Sequence, residues 1–302
     1  MPYAMVIVNP VSGGGITGKT WPQIMELLKT IGLSFEYEFT EARGHATELA
    51  KSAVKKGYEL VVSVGGDGTM NEIVNGLHDA GGLANTMLGI INTGTGCDYV
   101  RTIGIPRSYK EACQRLINPR KLVADLGIMD FMSNRQMVSR LFVNFAGLGV
   151  DAEIVRATTQ KFKSLGSTLS YLMGLLVTLL SYRNKDISIT VDGESKQARV
   201  CEVLMCNGRY GGGGMLTAPN ADLTDGLLDV LTVGDLSRPG ILRSLHRIYK
   251  GTHLTHPRVT MQRGKEIEIQ SSQQMLLQAD GELVGEAPAR FHVLPAALTV
   301  AT

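Results

Sequence analysis

Three times in the first 98 residues an apolar run stops at a polar, glycine-rich segment, and few folds tolerate that rhythm. The runs at 4–9, 59–64 and 88–91 lead into Asn9-Pro10-Val11-Ser12-Gly13-Gly14-Gly15, Gly65-Gly66-Asp67-Gly68-Thr69 and Asn92-Thr93-Gly94-Thr95-Gly96-Cys97-Asp98. Between them lie helical patterns. Trp21, Ile24, Met25, Leu28 and Ile31 fall on one face, and further helices are expected at 45–56, 71–78 and 109–116, with a strand at 35–40. Alternating β and α elements imply a parallel sheet covered on both faces. Ligands on such sheets bind outside the carboxyl ends of the strands, which is where the three loops fall.

Glycine makes up 35 of the 302 residues, much of it in these clusters, where the backbone must turn sharply or approach a ligand closely. In the 65–69 loop, glycine lets the backbone reach phosphate oxygens, and the helix that follows supplies unpaired N–H groups and a favourable dipole. Asp67 is then placed to hold Mg²⁺ or orient a phosphate-bound water, and Thr69 offers a hydroxyl. An Asp-capped turn would explain this loop taken alone. Three such loops on one sheet point to a shared phosphate crevice.

After about residue 121 the rhythm changes. Strand patterns at 122–129, 137–145, 186–191, 197–206, 227–232, 259–262, 266–270 and 276–279 are joined by turn dipeptides such as Asp192-Gly193, Asp225-Gly226 and Arg263-Gly264. A mostly antiparallel second domain is expected, with helices near 155–183 and 238–250. A last strand from 290 closes either domain. The net charge of +2 argues against nucleic acid as a partner. Cys97, Cys113, Cys201 and Cys206 show no metal or CxxC spacing and read as reduced cytoplasmic thiols. Residues 164–182 carry no charge, but four serines, two threonines and two glycines dilute them; a buried or cleft-lining helix is expected rather than a span. His246, His253 and His256 have no convincing metal spacing. They lie in a run, 238–265, with seven Lys/Arg and no acid, which reads as a solvated face or as a patch that docks on anionic lipid.

The chain resembles the diacylglycerol kinase catalytic-domain family, specifically the soluble bacterial lipid kinases related to sphingosine and ceramide kinases, over nearly its whole length. The resemblance is carried by Asn9-Pro10-x-Ser12-Gly13, Thr40, GGDGTMNE at 65–72, the 94–98 loop, FVNFAGLGVDAE at 142–153, YGGGG at 210–214, Asp222-x-x-Asp225-Gly226-x-Leu228-Asp229 and Asp280-Gly281-Glu282. GGDGT is shared with NAD kinases and phosphofructokinases, so the later motifs discriminate. The family fold joins a parallel-sheet nucleotide domain to a β-sandwich domain, the NAD kinase/diacylglycerol kinase-like arrangement of the α/β plus β class. Here that implies an ATP domain at 1–125, a lipid-substrate domain at 126–289, and a segment at 290–302 returning to the first.

The resemblance implies ATP contacts from Asn9, Pro10, Ser12, Gly13, Thr40, Gly65, Gly66, Asp67, Gly68, Thr69, Asn71, Glu72, Gly94, Thr95 and Asp98. It implies Mg²⁺ at Asp67 and Asp98, and a second, structural Mg²⁺ at Asp222, Asp225 and the carbonyl of Leu227; an Asp-Gly turn explains the latter spacing equally well. Asp125 joins an interdomain carboxylate network. Glu282 or Asp280 accepts the hydroxyl proton, and alternation along a continuing strand would put both on one side. The expected protein is a cytoplasmic kinase, peripheral on the inner face of the membrane, that phosphorylates a diacylglycerol-like lipid, with a homodimer as a family-based expectation. Two other readings stand beside it: a kinase of a soluble acceptor such as NAD, and a catalytically weak lipid-binding regulator. The latter is motivated by Cys97, where the family usually has Asn.

Overall fold

A computed structural model describes residues 3–133, 136–158 and 167–302. The chain forms two compact units, Met1–Asp125 with Ala296–Thr302, and Leu126–Pro295. It thus returns to the first unit six residues later than 290.

The first unit is built on β1 (Ala4–Val8), β2 (Phe35–Phe39), β3 (Leu60–Gly65), β4 (Met87–Asn92) and the end of β14 (Glu282–Ala301). All pairings are parallel, in the order β14-β4-β3-β1-β2. β1 and β3 are buried along their whole length, which is why they read as unbroken apolar runs rather than alternating ones. Helices α1 (Ile16–Thr30), α2 (His45–Lys55), α3 (Asp67–Asp79), α4 (Asp98–Ile103) and α5 (Tyr109–Arg115) connect the strands. The order reverses between β1 and β3, since β2 lies on one side of β1 and β3 with β4 on the other. That switch point is where crossover helices leave on opposite faces and open a crevice.

The second unit contains β5 (Lys121–Ser133, entering from the first unit), β6 (Gln136–Phe142), β7 (Phe145–Gly149), α6 (Val150–Ala157), α7 (Ser167–Ser181), β8 (Lys185–Val191), β9 (Glu194–Cys206), β10 (Leu228–Gly234), α8 (Arg238–Tyr249), β11 (Val259–Gly264), β12 (Glu266–Gln270), β13 (Leu276–Ala279) and most of β14. Its antiparallel ladders close on themselves: β7 pairs β9, β9 pairs β8, β8 pairs β12, β12 pairs β14, β14 pairs β13 and β13 pairs β7. β10 and β11 extend the sheet beyond β9. Closure removes the exposed strand edges an open sheet would present. Ala146, Leu148, Ile189, Val203, Met205, Leu277 and Phe291 fill the core. Phe142 meets Phe291 edge-on, ring centres 6.4 Å apart, each ring contributing about 1.5–3 kcal/mol through burial.

Three expectations shift. α3 starts at Asp67 instead of 71, so the acid of GGDGT is the first residue of a helix. The 137–145 run divides into β6 and β7. The 155–183 helix is α6 and α7, and part of the uncharged stretch, 164–166, lies outside the described residues. No helix among the described residues is long and apolar enough to cross a membrane.

Candidate active site

The three loops follow β1, β3 and β4, so those after β1 and β3 flank the switch point. They interlock through backbone. Thr93 and Gly94 both donate N–H bonds to the Gly65 carbonyl, at 2.8 and 3.1 Å. A Cβ on Gly94 would lie 2.5 Å from the Gly66 Cα, and one on Gly13 would lie 2.5 Å from the Thr93 carbonyl. Gly13, Gly14 and Gly15 have φ of 61°, 67° and 88°, a left-handed run that only glycine enters cheaply. Side chains complete the lock: Asn9 Nδ2 donates to Thr69 Oγ1 at 2.9 Å, and the Thr17 and Thr93 hydroxyls are 2.5 Å apart. Ser12 packs against Gly66. Asn92, which opens the third loop and was not among the expected ligand contacts, shapes it by accepting from Gly94 N–H at 2.8 Å and from the Cys97 thiol at 3.3 Å.

Asp67 sits at the meeting point. Its carboxylate accepts backbone N–H groups at the start of α4, with Asp98 N 3.5 Å from Oδ2. Burial raises its pKa and those N–H groups oppose the rise. Its Oδ1 is buried with no hydrogen-bond partner among the described residues. A Cβ on Gly96 would fall 2.6 Å from Asp67 Oδ2 and 3.9 Å from Asp98 Oδ2, so glycine keeps the space beside both carboxylates clear. Mg²⁺ usually takes one or two carboxylates and completes its shell with water and phosphate oxygens. Asp67, with its unpartnered Oδ1, fits that donor set; Asp98 turns Oδ1 toward Arg101 at 3.5 Å, which leaves its Oδ2 on the Gly96 side as the second donor. No group of three or more His, Cys, Asp or Glu clusters among the described residues.

Other candidates have different work. Glu72 reaches the N-terminus of α2, accepting from Gly44 N–H at 2.9 Å and Ala46 N–H at 3.3 Å. Asn71 is fully buried in α3 and Thr69 is held by Asn9, which makes both scaffold beneath the loop. Pro10 accepts from Gly18 N–H, and Thr40 donates its N–H to Val8, fixing the ends of their strands. Gly68 is the second residue of α3, and Thr95 lies exposed on the third loop. Asp125 accepts from Ala296 N–H at 2.7 Å, anchoring the returning segment.

In the second unit Asp222 Oδ1 accepts from Thr224 N–H and hydroxyl, and Asp225 accepts from Leu227 N–H while pairing with Arg263 at 2.5 Å. The turn reading describes these residues better than a metal shell, because an arginine already supplies the cation. Asp280-Gly281 is a two-residue hairpin loop with φ of 45° and 82°, as a type I′ turn requires. The turn ends the strand, so the alternation expected to align Asp280 with Glu282 does not apply. Asp280 accepts from the N–H groups of Val143, Asn144 and Phe145 at 2.7, 3.0 and 3.0 Å, and Glu282 pairs with Arg140 at 2.6 Å. Asn144 also donates to the Tyr210 carbonyl at 2.6 Å. The 142–153, 210–214 and 280–282 motifs therefore converge.

Cys97 is 3% exposed and turned inward to Asn92 and the Gly94 carbonyl. Its φ of 57° is left-handed, a conformation that Asn tolerates better than Cys.

Comparison with known proteins agrees with this geometry. Residues 3–129 match the family model described as diacylglycerol kinase catalytic domain, and 144–302 match the YegS C-terminal NAD kinase beta sandwich-like domain. The chain is 30% identical to a diacylglycerol kinase of Staphylococcus carnosus, covering 95% of this chain and 91% of that one. It is 29% identical to one of Bacillus subtilis, covering 96% and 93%. A crystal structure from Bacillus anthracis superposes with a TM-score of 0.80 at 25% identity, covering 99% of this chain and 95% of that one. Yeast NADH kinase, at 11% identity and TM-score 0.51 over 99% and 83%, shares the fold. The chain belongs to the diacylglycerol kinase family and is a kinase with an alcohol group as acceptor.

Proposed function

We propose that this member of the diacylglycerol kinase family transfers the γ-phosphate of ATP to the hydroxyl of a diacylglycerol-like lipid at an anionic membrane surface. The observation that carries the reading is the interlock of three glycine loops around Asp67 and Asp98 at the switch point of the first unit. Backbone N–H groups of the 12–15, 66–69 and 94–98 segments cradle the phosphates, and the two carboxylates face them. Mg²⁺, when bound there, screens the phosphate charge. Phosphoryl transfer through a loose transition state asks the protein mainly for alignment and charge stabilisation. A carboxylate of Asp280-Gly281-Glu282 receives the hydroxyl proton; Asp280 accepts three backbone N–H bonds and Glu282 pairs with Arg140.

The membrane part rests on α8. No residue of this helix is buried, Leu242 and Tyr249 are exposed, and Arg243 and Lys250 share the open surface. Apolar side chains among basic ones suit an anionic bilayer, each cation contributing about 1 kcal/mol near the surface.

The test is incubation with labelled ATP and a total lipid extract, with NAD in a parallel reaction, and mass spectrometry of the labelled product. Label in a phosphorylated glycerolipid is expected. Label in NAD, or in no lipid at all, refutes the reading.

A further inference from the structure

The turn that carries the two acceptor-side carboxylates is held along its backbone. Asp280 N–H donates to the Phe145 carbonyl at 2.9 Å, and the Asp280 carboxylate takes the N–H groups of Val143, Asn144 and Phe145. Gly281 N–H donates to the side-chain carbonyl of Gln278 at 2.9 Å, and Gln278 is fully buried. Glu282 follows, opening β14 as the register partner of Ala279. Its backbone is therefore placed, but a run of side-chain torsions separates that backbone from the carboxylate. Glutamate is among the side chains with most rotamer freedom to lose, and hydrogen bonds within the turn do not select among its rotamers.

Arg140 can select. Its Nη2 lies 2.6 Å from Glu282 Oε2, with the two side chains 24% and 20% exposed. Arg140 stands where β6 passes from exposed to buried, and Leu141 and Phe142 behind it are anchored in the interior. The next three residues are the N–H donors to Asp280, so one short segment, 140–145, holds both acids. A planar guanidinium fixes the plane of the carboxylate it meets, which a point charge does not. We propose that Arg140 is the positioning residue of Glu282, holding Oε2 so that Oε1 faces the acceptor hydroxyl. This rests on the reading above that a carboxylate of this turn takes the proton. In that step the hydroxyl oxygen bonds to the γ-phosphorus as the bond to ADP breaks, and its proton passes to Glu282. A partly exposed ion pair adds little to stability, so the work of Arg140 belongs in kcat rather than in the melting temperature.

The experiment is a double-mutant cycle on the full chain, with Mg-ATP and dioctanoylglycerol in detergent micelles as substrates. Arg140→Met keeps the stem and removes the guanidinium; kcat is expected to fall about 10- to 100-fold, the scale of a misplaced reacting group. KM for ATP stays within about twofold, as for a group that acts only in the transition state. Arg140→Lys, which keeps the charge without the planar fork, recovers part of the loss. Glu282→Gln alone loses about 100-fold or more. The double variant is expected to match Glu282→Gln within about twofold, because an orienting group then has nothing to orient. Losses that multiply, or a raised KM for ATP in Arg140→Met, overturn the proposal, since the guanidinium then acts on something other than Glu282. Wild-type kcat in Arg140→Met beside an impaired Glu282→Gln overturns it too. If Arg140→Met melts well below wild type, Arg140→Lys takes its place in the cycle under the same criteria. Full kcat in Glu282→Gln moves the proton to Asp280 and removes the role of Arg140 with it. Where dioctanoylglycerol is not phosphorylated, the lipid reading falls, and the same cycle is scored on NAD phosphorylation or ATP hydrolysis, which keeps the two failures distinct.

Discussion

Asp151→Asn should stabilise this protein at neutral pH and do nothing for it in acid. Asp151 lies in the first turn of α6, opposite Glu202 on β9, where Gly149 and Glu202 are register partners. Burial raises its carboxyl from 3.8 to about 6, only partly countered by Gln278. Glu202 is raised well above 4.5, first by burial and then by the charge of Asp151. The folded state therefore holds a proton that the unfolded chain has released. Through Asp151, stability falls as pH rises from about 4 to about 6, because the native state binds more protons across that window, and the raised Glu202 extends the fall to higher pH. At 1.36 kcal/mol per pH unit, the Asp151 term comes to about 3 kcal/mol. Asparagine is uncharged at every pH, so the variant escapes this cost.

Tyr182, Cys201 and Cys206 surround the pair, and burial pushes all three upward, so none of them titrates between pH 4 and 8. Carboxylates elsewhere are common to both proteins and cancel in the difference. Calorimetric melting of wild type and variant at several pH values from about 4 to about 8 gives the check. The gap should open with pH and reach up to about 3 kcal/mol near pH 7, less whatever packing the amide disturbs. A constant gap, or one that widens as pH falls, refutes the account of a buried, proton-sharing pair.

Asp67→Asn should lower turnover by at least about 100-fold, the scale of losing one charge-stabilising group in a transition state; near-normal turnover would remove Asp67 from the site. Cys97→Asn should raise the melting temperature through a gain approaching about 1 kcal/mol, because a left-handed backbone is less costly for Asn, with KM for ATP unchanged since the side chain points inward. Glu282→Gln should leave stability within about 1 kcal/mol, as expected of a partly exposed ion pair, so a large fall in kcat would identify it as the proton acceptor. Asp280→Asn should lower stability as well as rate, because it weakens three backbone anchors; a rate loss there with normal Glu282→Gln kinetics assigns the proton to Asp280. Replacing Arg243 and Arg247 by Glu should weaken sedimentation with anionic vesicles by at least about tenfold and leave neutral vesicles unaffected, at about 1 kcal/mol per basic residue removed.

What was legible in the sequence follows from how local each signal is. β1 and β3 are buried on both faces, so their residues carry continuous apolar character that needs no tertiary knowledge to see. The loops behind them are legible for the same reason, since positive φ at Gly13, Gly14 and Gly15 can be met almost only by glycine. β7, FAGLG, carries two glycines and little strand propensity; it is a strand because β9 and β13 pair with it on either side. Functional assignments blurred wherever a motif residue had a distant partner. Glu72 is drawn to α2, Asp225 to Arg263, Glu282 to Arg140 and Asp125 to Ala296, and the spacing of the motif residues along the chain shows none of these pairs.

One signal was available and went unread. Glu202 is the single charge in the run Cys201-Glu202-Val203-Leu204-Met205-Cys206, where strand burial should have made it anomalous. A lone acid in an otherwise apolar strand must find a proton, a cation or another buried polar group. Here it finds Asp151, a residue inside the 142–153 motif. The motif and the anomaly are thus two halves of one feature, a buried pair in which the charge of Asp151 raises the Glu202 carboxyl further than burial alone.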